Sequence, residues 1–355
     1  MALADHLNHL DTGGLDRPPL PNEARKRYVL ILLWRCFLLI GLLASGLSMT
    51  RGCAYAAGLD SAPASPAASS LDEPREIGTV AAGNIAKPIH IVTWNIDRGR
   101  NLGAITRYLA GEHADLVLLQ EADWNTRRTG WKDVSAELAK QLSFNAFYGI
   151  EFEELGQEGR QHHSALFEEL GQEGRQHHPA FIGQATLTAL PVSKTRILRF
   201  KCQSPYWKQR VWLPSSWSFL QRRRGGRIAL VTELDVSGRL LVVYNVHLEN
   251  VSALDLIQAR QINEVLKDVD KYPRGTGVII AGDMNTEFFP TVFRKRLEKR
   301  GFRSAMGNKL RATELGMLAL DWIFVRGSVV LDHGRICRKF RGSDHVAVAA
   351  TITVR

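Results

Sequence analysis

Side chains that can bind metal ions or transfer protons recur at the ends of apolar runs that predict β-strands. Four runs are followed by such residues, and a fifth pair stands directly before the last run. The residues are Asn95 and Asp97, Gln120 and Glu121, His247, Asp283 and Asn285, and Asp344 with His345. A single polar residue at a strand end commonly serves a turn or a cap. Five such positions in one domain predict instead that the strand ends converge on a shared site.

The elements that must position these residues form a mixed pattern of strands and helices. Strands are predicted over 89–94, 115–120, 227–236, 239–248, 277–283, 321–325 and 346–354. Ser237-Gly238 is a two-residue hairpin signal between two of them. A short helix is expected between the first two strands, and apolar spacing predicts helices over 131–142 and 252–269, the latter with a capping-box start at Ser252. Together these elements predict helices packed outside a pair of β-sheets.

Six short motifs carry the residues of the predicted site. They are TWNID (93–97), LLQEADW (118–124), YNVHLEN (244–250), GDMNT (282–286), LDWIFV (320–325) and GSDH (342–345). In this order they resemble the motif series of the endonuclease/exonuclease/phosphatase superfamily, which includes exonuclease III, deoxyribonuclease I, neutral sphingomyelinases and inositol 5-phosphatases. The resemblance covers roughly residues 89–355. It implies an α+β fold, a four-layer α/β/β/α sandwich like that of deoxyribonuclease I, and Mg²⁺-dependent hydrolysis of a phosphoester, with Mn²⁺ as the alternative ion.

The same resemblance implies a metal site made of oxygen donors. Glu121 is the first-choice ligand, Asn95 lies beside it, and Asp344 is the third candidate. Mg²⁺ prefers oxygen ligands and keeps several waters, so one or two carboxylates suffice to hold it.

The catalytic roles that the resemblance implies fall on five other motif residues. Asp283 acts as the base or orienter of the attacking water, and Asn285, two residues further along an extended segment, donates to a phosphate oxygen. His345 stabilises charge on the phosphoryl group, and Asp321 holds its imidazole in tautomer and orientation. His247 donates to the phosphate or protonates the leaving oxygen.

A 15-residue unit occurs twice between residues 152 and 181, with 13 of its 15 positions identical. Near-identity indicates a recent duplication, and a loop of the sandwich would tolerate it. The stretch Glu-Glu-Leu-Gly at 153–156 resembles Glu-Pro-Leu-Gly of deoxyribonuclease I, whose glutamate orients the histidine matched to His247. Glu153 is therefore expected to orient His247, and Glu168 is expected to be a dispensable copy.

The N-terminal quarter of the chain differs from the rest. It divides into a polar tail (1–27), an apolar segment (28–49), an Ala/Ser/Pro-rich linker (50–87) expected to be disordered, and the folded domain (88–355). The apolar segment is long enough for a transmembrane helix, and Ala54-Tyr55-Ala56 leaves a cleaved signal open as the alternative. Both readings place the domain outside the cytoplasm, anchored to the membrane through 28–49, or secreted or periplasmic after cleavage at Ala56.

The net charge of +10 belongs entirely to the predicted domain. Residues 1–87 contain eight basic and eight acidic residues, which leaves 38 basic and 28 acidic residues in the remainder. This excess suits a polyanionic partner such as nucleic acid or anionic lipid. The four cysteines show no CxxC spacing, which argues against a zinc site. Cys202 and Cys337 could pair in an exported domain or remain separate buried thiols.

Two enzyme functions fit these observations. The first is a nuclease acting on phosphodiester bonds, which the basic domain favours. The second is a phosphatase or sphingomyelinase-like phosphodiesterase acting on lipid headgroups or small phosphate esters. Residues 206–227 mix tryptophans with arginines, which could stack bases, enter a lipid interface, or simply pack a loop. A non-catalytic binding module is disfavoured because the motif set is complete, and the protein is expected to act as a monomer.

Overall fold

The computed structural model describes residues 71–78, 83, 88–154, 179–204, 223–250, 253–314, 316–337 and 342–355. Predictions for the apolar segment 28–49, for most of the doubled segment and for residues 205–222 lie outside this part of the chain. No helix among the described residues is long and apolar enough to cross a membrane. Both Cys202 and Cys337 are buried and free, so the alternative of a disulfide between them is not adopted.

The described strands form two sheets. Their bounds are β1 Arg75–Ile77, β2 Ile89–Arg98, β3 Leu116–Trp124, β4 Asn145–Glu154, β5 Ala180–Thr188, β6 Val192–Arg199, β7 Arg223–Gly225, β8 Ile228–Val236, β9 Arg239–His247, β10 Gly277–Asp283, β11 Arg303–Ser304, β12 Asp321–Arg326, β13 Val329–Ile336 and β14 Val348–Val354. The first sheet has the order β1-β4-β5-β3-β2-β14-β13, with β7 also paired to β4. The second has the order β11-β12-β10-β9-β8-β6.

Among the described residues, four α-helices cover the outer faces of these sheets. They are α1 Leu102–Glu112, α2 Val134–Leu142, α3 Leu256–Val269 and α4 Pro290–Glu298, with short 3-10 turns at 127–129 and 253–255. Helices α1 and α2 share a buried apolar cluster with the first sheet, and α3 and α4 share one with the second. A third cluster lies between the sheets. The protein is thus a mixed α/β sandwich of two sheets with few helices.

Local sequence signals explain several element boundaries. Ser237 and Gly238 both have positive φ, as a type I′ turn requires, so the predicted hairpin between β8 and β9 is confirmed. Helix α2 starts where Asp133 accepts a hydrogen bond from the Ala136 N–H at 3.0 Å. The sequence pairs Ser252 with Asp255 as a capping box for α3; this prediction is wrong at Asp255, and Ser252 lies outside the described residues. Asp255 accepts instead from the N–H groups of Phe288 and Phe289, at 3.0 and 2.7 Å.

Residues 58–355 separate from residues 1–57 as a compact unit. The buried residues of its three apolar clusters lie between Ile89 and Ile352, and Leu71 and Ile77 pack against the first cluster. Because β1 also pairs with β4, the predicted boundary between a linker (50–87) and the folded domain at residue 88 is wrong, and the domain begins before it. Each of its two sheets is covered by helices from the same unit. A unit that contains its whole core in this way meets the physical requirement for folding without the preceding segment.

Candidate active site

The register of the second sheet places three predicted residues side by side. Parallel pairing of β9 with β10 sets His247 opposite Asp283, and antiparallel pairing of β10 with β12 sets Asp321 opposite the same residue. All three side chains are buried. Because β10 is central, the Asp283 carboxylate lies between groups from both neighbouring strands.

The first sheet contributes Asn95 and His345 to the same end of the sandwich. The Asn95 Nδ2 donates to Asp283 Oδ2 at 3.1 Å, a hydrogen bond that joins the two sheets. The backbone oxygen of Asn95 accepts from the Ser343 hydroxyl at 2.8 Å, and Trp94 Nε1 donates to the His345 carbonyl at 3.1 Å. These contacts hold the Ser343–His345 segment against β2. The prediction that the strand ends converge is thereby met by geometry.

Asp283 is the centre of this arrangement. Its Oδ1 accepts from the Asn285 N–H at 2.9 Å, and its Oδ2 lies 3.7 Å from His247 Nε2 and 3.9 Å from His345 Nε2. Burial and the negative charge of Asp321 raise the pKa of the Asp283 carboxyl, and the two histidines oppose that shift. A carboxylate with a raised pKa is a stronger base, which suits a group that accepts a proton from water.

His345 is fixed by a buried hydrogen bond to Asp321. The distance from His345 Nδ1 to Asp321 Oδ2 is 2.7 Å. Burial alone would lower the pKa of His345, but the charges of Asp321 and Asp283 raise it well above its usual value. These charges favour the protonated form of the imidazole, whose Nε2 faces the cleft 3.9 Å from Asp283 Oδ2.

Glu151, which was not predicted, takes the place expected of Glu153. The distance from His247 Nδ1 to Glu151 Oε1 is 3.1 Å, and Glu151 is fully buried. Glu153 instead accepts from Arg224 Nε at 2.9 Å, away from His247. The assignment of Glu153 as the residue that orients His247 is therefore wrong. The assignment rested on the resemblance of residues 153–156 to a family motif, whereas a β-bulge in β4 between Ile150 and Phe152 makes Glu151 the residue that faces His247.

The arginines at positions 223, 224 and 227 each form an ion pair with a glutamate of β4. Arg227 Nη1 lies 2.8 Å from Glu151 Oε2 and within 3.0 Å of both ring nitrogens of His247. Burial raises the pKa of the Glu151 carboxyl, but the charges of His247 and Arg227 outweigh this effect and lower it. Arg223 and Arg224 bind Glu154 and Glu153 of β4 in the same manner. In the described part of this stretch, Arg227 thus reaches His247, whereas Arg223 and Arg224 pair with glutamates of β4 away from it.

Glu121 projects from a second bulge, in β3, with a left-handed backbone at φ 55. One carboxylate oxygen lies 3.3 Å from Arg98 Nη1 and the other 4.0 Å from His247 Nε2. Burial opposes ionisation, but the charges of Arg98 and His247 lower the pKa of Glu121, which is therefore an anion. Arg98 was not predicted. It follows Asp97, which also has positive φ and accepts from Arg98 at 2.6 Å.

The acidic rim offers oxygen donors for a cation. Asp344 is exposed there. Two groups of residues bring ligand atoms within 4.8 Å of one another: Asp283, Asp321 and His345, and Glu314, Asp344 and His345. Ionised Glu121, the Asn95 amide and Asp344 are the hard oxygen donors that a divalent cation accepts. Residues of the site therefore fit a divalent metal ion.

Glu314 is a further site residue that carried no sequence signal. Glu314 lies on the loop before β12, and its Oε1 is 3.9 Å from His345 Nε2. Burial raises the pKa of Glu314 to about 7, against the opposing charge of His345. Backbone bonds between Glu314 and Leu318 shape this loop, so the carboxyl is held by local structure rather than by a recognisable motif.

Two predicted residues are placed differently from expectation. Gln120 does not reach the site but lies between the sheets, where its amide donates to Asn245 at 2.7 Å and to Thr93 at 3.1 Å. Asn285 is not in an extended segment, because its φ is 47, and its Nδ2 donates to the Leu248 carbonyl at 3.0 Å. The argument that Asn285 faces the same side as Asp283 by strand alternation is therefore wrong, although its backbone N–H does bind Asp283.

The fold and the site together define an α/β sandwich that gathers buried carboxylates and imidazoles at one end of its two sheets. A sequence model of the Endonuclease/Exonuclease/phosphatase family matches residues 92–345, more than half of the chain, and the protein belongs to that family. Members of this family are hydrolases acting on phosphoester bonds, which supports a hydrolase here. The family resemblance drawn from the six motifs is thus confirmed.

Solved structures support the same fold. An endonuclease/exonuclease/phosphatase from Beutenbergia cavernae is 18% identical with a TM-score of 0.54, over 76% of this chain and 72% of that one. The human Nocturnin catalytic domain is 15% identical with a TM-score of 0.53, over 77% and 97%. A humanized D. rerio TDP2 is 19% identical with a TM-score of 0.50, over 75% and 99%. No curated protein sequence matches the chain.

Proposed function

We propose that this protein is a Mg²⁺-dependent phosphoesterase, and that it acts foremost as a nuclease that hydrolyses phosphodiester bonds by in-line attack of an activated water. The observation that carries the proposal is the placement of Asp283 within 4 Å of two imidazoles, each held by its own buried carboxylate. The basic excess of the domain supports a polyanionic substrate. Mn²⁺ is the alternative ion.

The residues divide the work of hydrolysis among them. Asp283 orients the water and accepts its proton, which the raised pKa of the carboxyl favours. Protonated His345, held by Asp321, donates its Nε2–H to a phosphoryl oxygen and offsets the charge that develops there. His247, held by Glu151 and Arg227, delivers a proton to the leaving oxygen.

Glu121, Asn95 and Asp344 would hold the metal ion. When bound, the ion supplies positive charge that polarises the phosphoryl group and stabilises the leaving oxygen. Asn285 assists Asp283 through its backbone N–H, and its amide remains the candidate donor to a phosphate oxygen if it leaves Leu248 on substrate binding.

The placement of the enzyme is part of the proposal. The apolar segment 28–49 is proposed as a membrane anchor, or as a signal cleaved after Ala56, with residues 88–355 outside the cytoplasm and monomeric. A phosphodiesterase acting on lipid headgroups is the second candidate, and the exposed apolar residues near the site favour it.

The test is an activity panel on the unit formed by residues 58–355. The unit is incubated with Mg²⁺ and plasmid DNA, RNA, sphingomyelin or inositol phosphates, beside the same unit with Asp283→Ala. Cleavage of nucleic acid that requires the metal, is lost in Asp283→Ala and weakens with salt would support a nuclease. Cleavage of lipid or inositol esters alone would establish the second candidate. Activity retained by Asp283→Ala would refute the mechanism.

A further inference from the structure

An apolar patch lies next to the catalytic residues. Among the described residues six large apolar side chains are exposed, and five of them belong to two neighbouring segments. We call these five residues the apolar rim: Leu254, Leu256, Phe288, Phe289 and Val292. A soluble surface rarely gathers exposed apolar side chains in this way unless the patch has a partner.

Hydrogen bonds fix the two segments of the rim to each other. The Asp255 carboxylate accepts from the backbone N–H groups of Phe288 and Phe289, so Leu254 and Leu256 are held beside the phenylalanines. Burial raises the pKa of this carboxyl, against the bonds from the two N–H groups. The fold therefore holds the rim in place: the apolar side chains are exposed, while the Asp255 carboxylate that joins the two segments is buried.

The rim stands at the mouth of the site. Phe288 lies three residues beyond Asn285, whose N–H binds Asp283. Gln258 of α3 donates to the Asn285 carbonyl at 3.0 Å, which ties the helix after Leu256 to the same turn. Glu287, the acidic residue adjacent to Phe288, is half-buried and acts on the carboxyl of Glu314 beside His345. A surface that covered the rim would thus also face the cleft.

Basic residues follow the rim along both helices. The exposed positions of α3 are Leu256, Arg260, Asn263 and Lys267, which share one helical face. On α4 the exposed Val292 is followed on the same face by Lys295 and Lys299. No acidic residue is exposed on either of these helices. Arg296 donates to the Ala259 carbonyl at 3.0 Å, which packs the two helices together.

This order of apolar tip and basic flank matches the layers of a bilayer surface. At 1.5 Å per residue, Lys295 and Lys299 stand about 4–11 Å behind Val292 along the helix axis. Interfacial segments insert apolar side chains about 5–10 Å into the boundary of headgroups and acyl chains, with cations at the headgroups. We propose that the apolar rim docks the domain on an anionic lipid bilayer, with the catalytic cleft turned toward the membrane surface.

Nucleic acid fits the rim less well. Exposed aromatic rings can stack on bases, but Leu254, Leu256 and Val292 have no π-face to offer. The docking surface does not depend on which phosphoester the cleft hydrolyses. A measurement of binding without turnover therefore tests it separately from the proposed function.

The experiment measures co-sedimentation of residues 58–355, which contain their own core, with vesicles. One set contains phosphatidylglycerol and phosphatidylcholine in equal parts, and the other contains phosphatidylcholine alone. The Phe288→Ser/Phe289→Ser variant should lower partitioning onto the anionic vesicles by at least about tenfold, equivalent to about 1.4 kcal/mol. Lys295→Gln/Lys299→Gln should weaken the binding and reduce its salt dependence.

Leu240→Ser is the matched control. Leu240 is 38% exposed, against 37% for Phe288, but it lies near the start of β9, at the opposite end of the strand from His247. Its substitution should leave vesicle binding unchanged. Thermal melting and turnover of a soluble phosphodiester, both expected to match the parent, show that the phenylalanine variant is folded.

Three outcomes would overturn the docking surface. The first is vesicle binding by Phe288→Ser/Phe289→Ser equal to that of the parent. The second is a variant that loses binding to a single-stranded oligonucleotide while it keeps vesicle binding, which would assign the rim to base stacking. The third is a concentration-dependent dimer in light scattering that the variant abolishes, which would assign the rim to a second copy of the chain.

Discussion

Because Glu151 and not Glu153 is the partner of His247, substitutions at these two positions can be compared directly. Glu151→Gln keeps the size of the side chain but removes the charge that lies 3.1 Å from His247 Nδ1. A hydrogen bond to a charged group contributes about 1.5–3 kcal/mol, which corresponds to about a 13- to 160-fold fall in kcat if the whole effect is felt in the transition state. KM should change little, because the glutamate acts through His247 and does not touch the substrate.

Glu153→Gln is the control for this change. Glu153 pairs with Arg224, whose side chain is 41% exposed, and such an exposed pair contributes at most about 1 kcal/mol to stability. Its kcat should stay within about threefold of the parent because no reacting group is reoriented. The assay is steady-state hydrolysis of bis(p-nitrophenyl) phosphate with Mg²⁺, beside thermal melting of each variant.

Loss of the Glu151 charge leaves Arg227 without its buried counter-ion, so some destabilisation accompanies the variant. Breaking a buried pair can cost about 3–5 kcal/mol, and the glutamine lessens this because it still accepts hydrogen bonds. Rates are therefore compared well below the melting temperature of the weakest variant. Parent-like kcat for Glu151→Gln together with a large loss for Glu153→Gln would show that the reasoning from the bulge is wrong.

Three other changes probe the site and its support. Asp321→Asn removes a charge that raises the pKa of His345. The alkaline limb of the pH–kcat profile, which reports loss of the His345 proton, should therefore move to lower pH. An unmoved limb would show that His345 does not act in the mechanism. Glu121→Gln should lower the apparent Mg²⁺ affinity by about tenfold or more, because the variant loses the negative charge of one carboxylate ligand; metal titration of activity and isothermal titration calorimetry measure this. Gly282 has φ 139, and Gly282→Ala places a Cβ 1.9 Å from the Val246 backbone oxygen. This variant should lower the free energy of unfolding, measured in urea, by about 3 kcal/mol or more. Gly238→Ala is the control, because its Cβ meets no atom within 4 Å, and it should lower the same free energy by only about 1 kcal/mol.

Much of the fold follows from local sequence signals. The strand over 277–283 is found at its predicted bounds, and the hairpin at Ser237-Gly238 forms as expected. These succeed because an apolar run of strand length and a pair of turn residues need no distant partner to define them. The gathering of Asn95, Asp283 and His345 was also foreseen, since strand ends and a motif series located them.

The residues that were missed share a non-local cause. Glu151 projects from a bulge, as does Glu121, which only the motif series located, and a bulge in the middle of a strand leaves no mark in the alternation of apolar and polar residues. Arg98 and Arg227 reach the site as counter-ions of those glutamates, so they could be found only after the glutamates were placed. Glu314 reaches His345 through the path of a loop, which the sequence does not specify.

The amide layer between the sheets has a consequence for how the two halves of the catalytic machinery stay aligned. Apolar faces can slide past each other at small cost, because contacts between them have no preferred direction. The Gln120 amide donates to Asn245, and the Asn245 amide donates to the carbonyls of Leu119 and Ala185 at 3.2 and 3.0 Å. Directional bonds of this kind set the offset between one half and the other.

Asn95 and Asp283 come from opposite halves and meet at 3.1 Å, so their meeting depends on that offset. A substitution at Gln120 or Asn245 would touch no reacting atom, but it would leave buried hydrogen-bonding groups without their partners and lower stability. It would also remove the directional bonds that fix the offset between the two halves. Turnover should therefore fall along with stability, so the centre of the sandwich influences activity although it lies away from the reacting atoms.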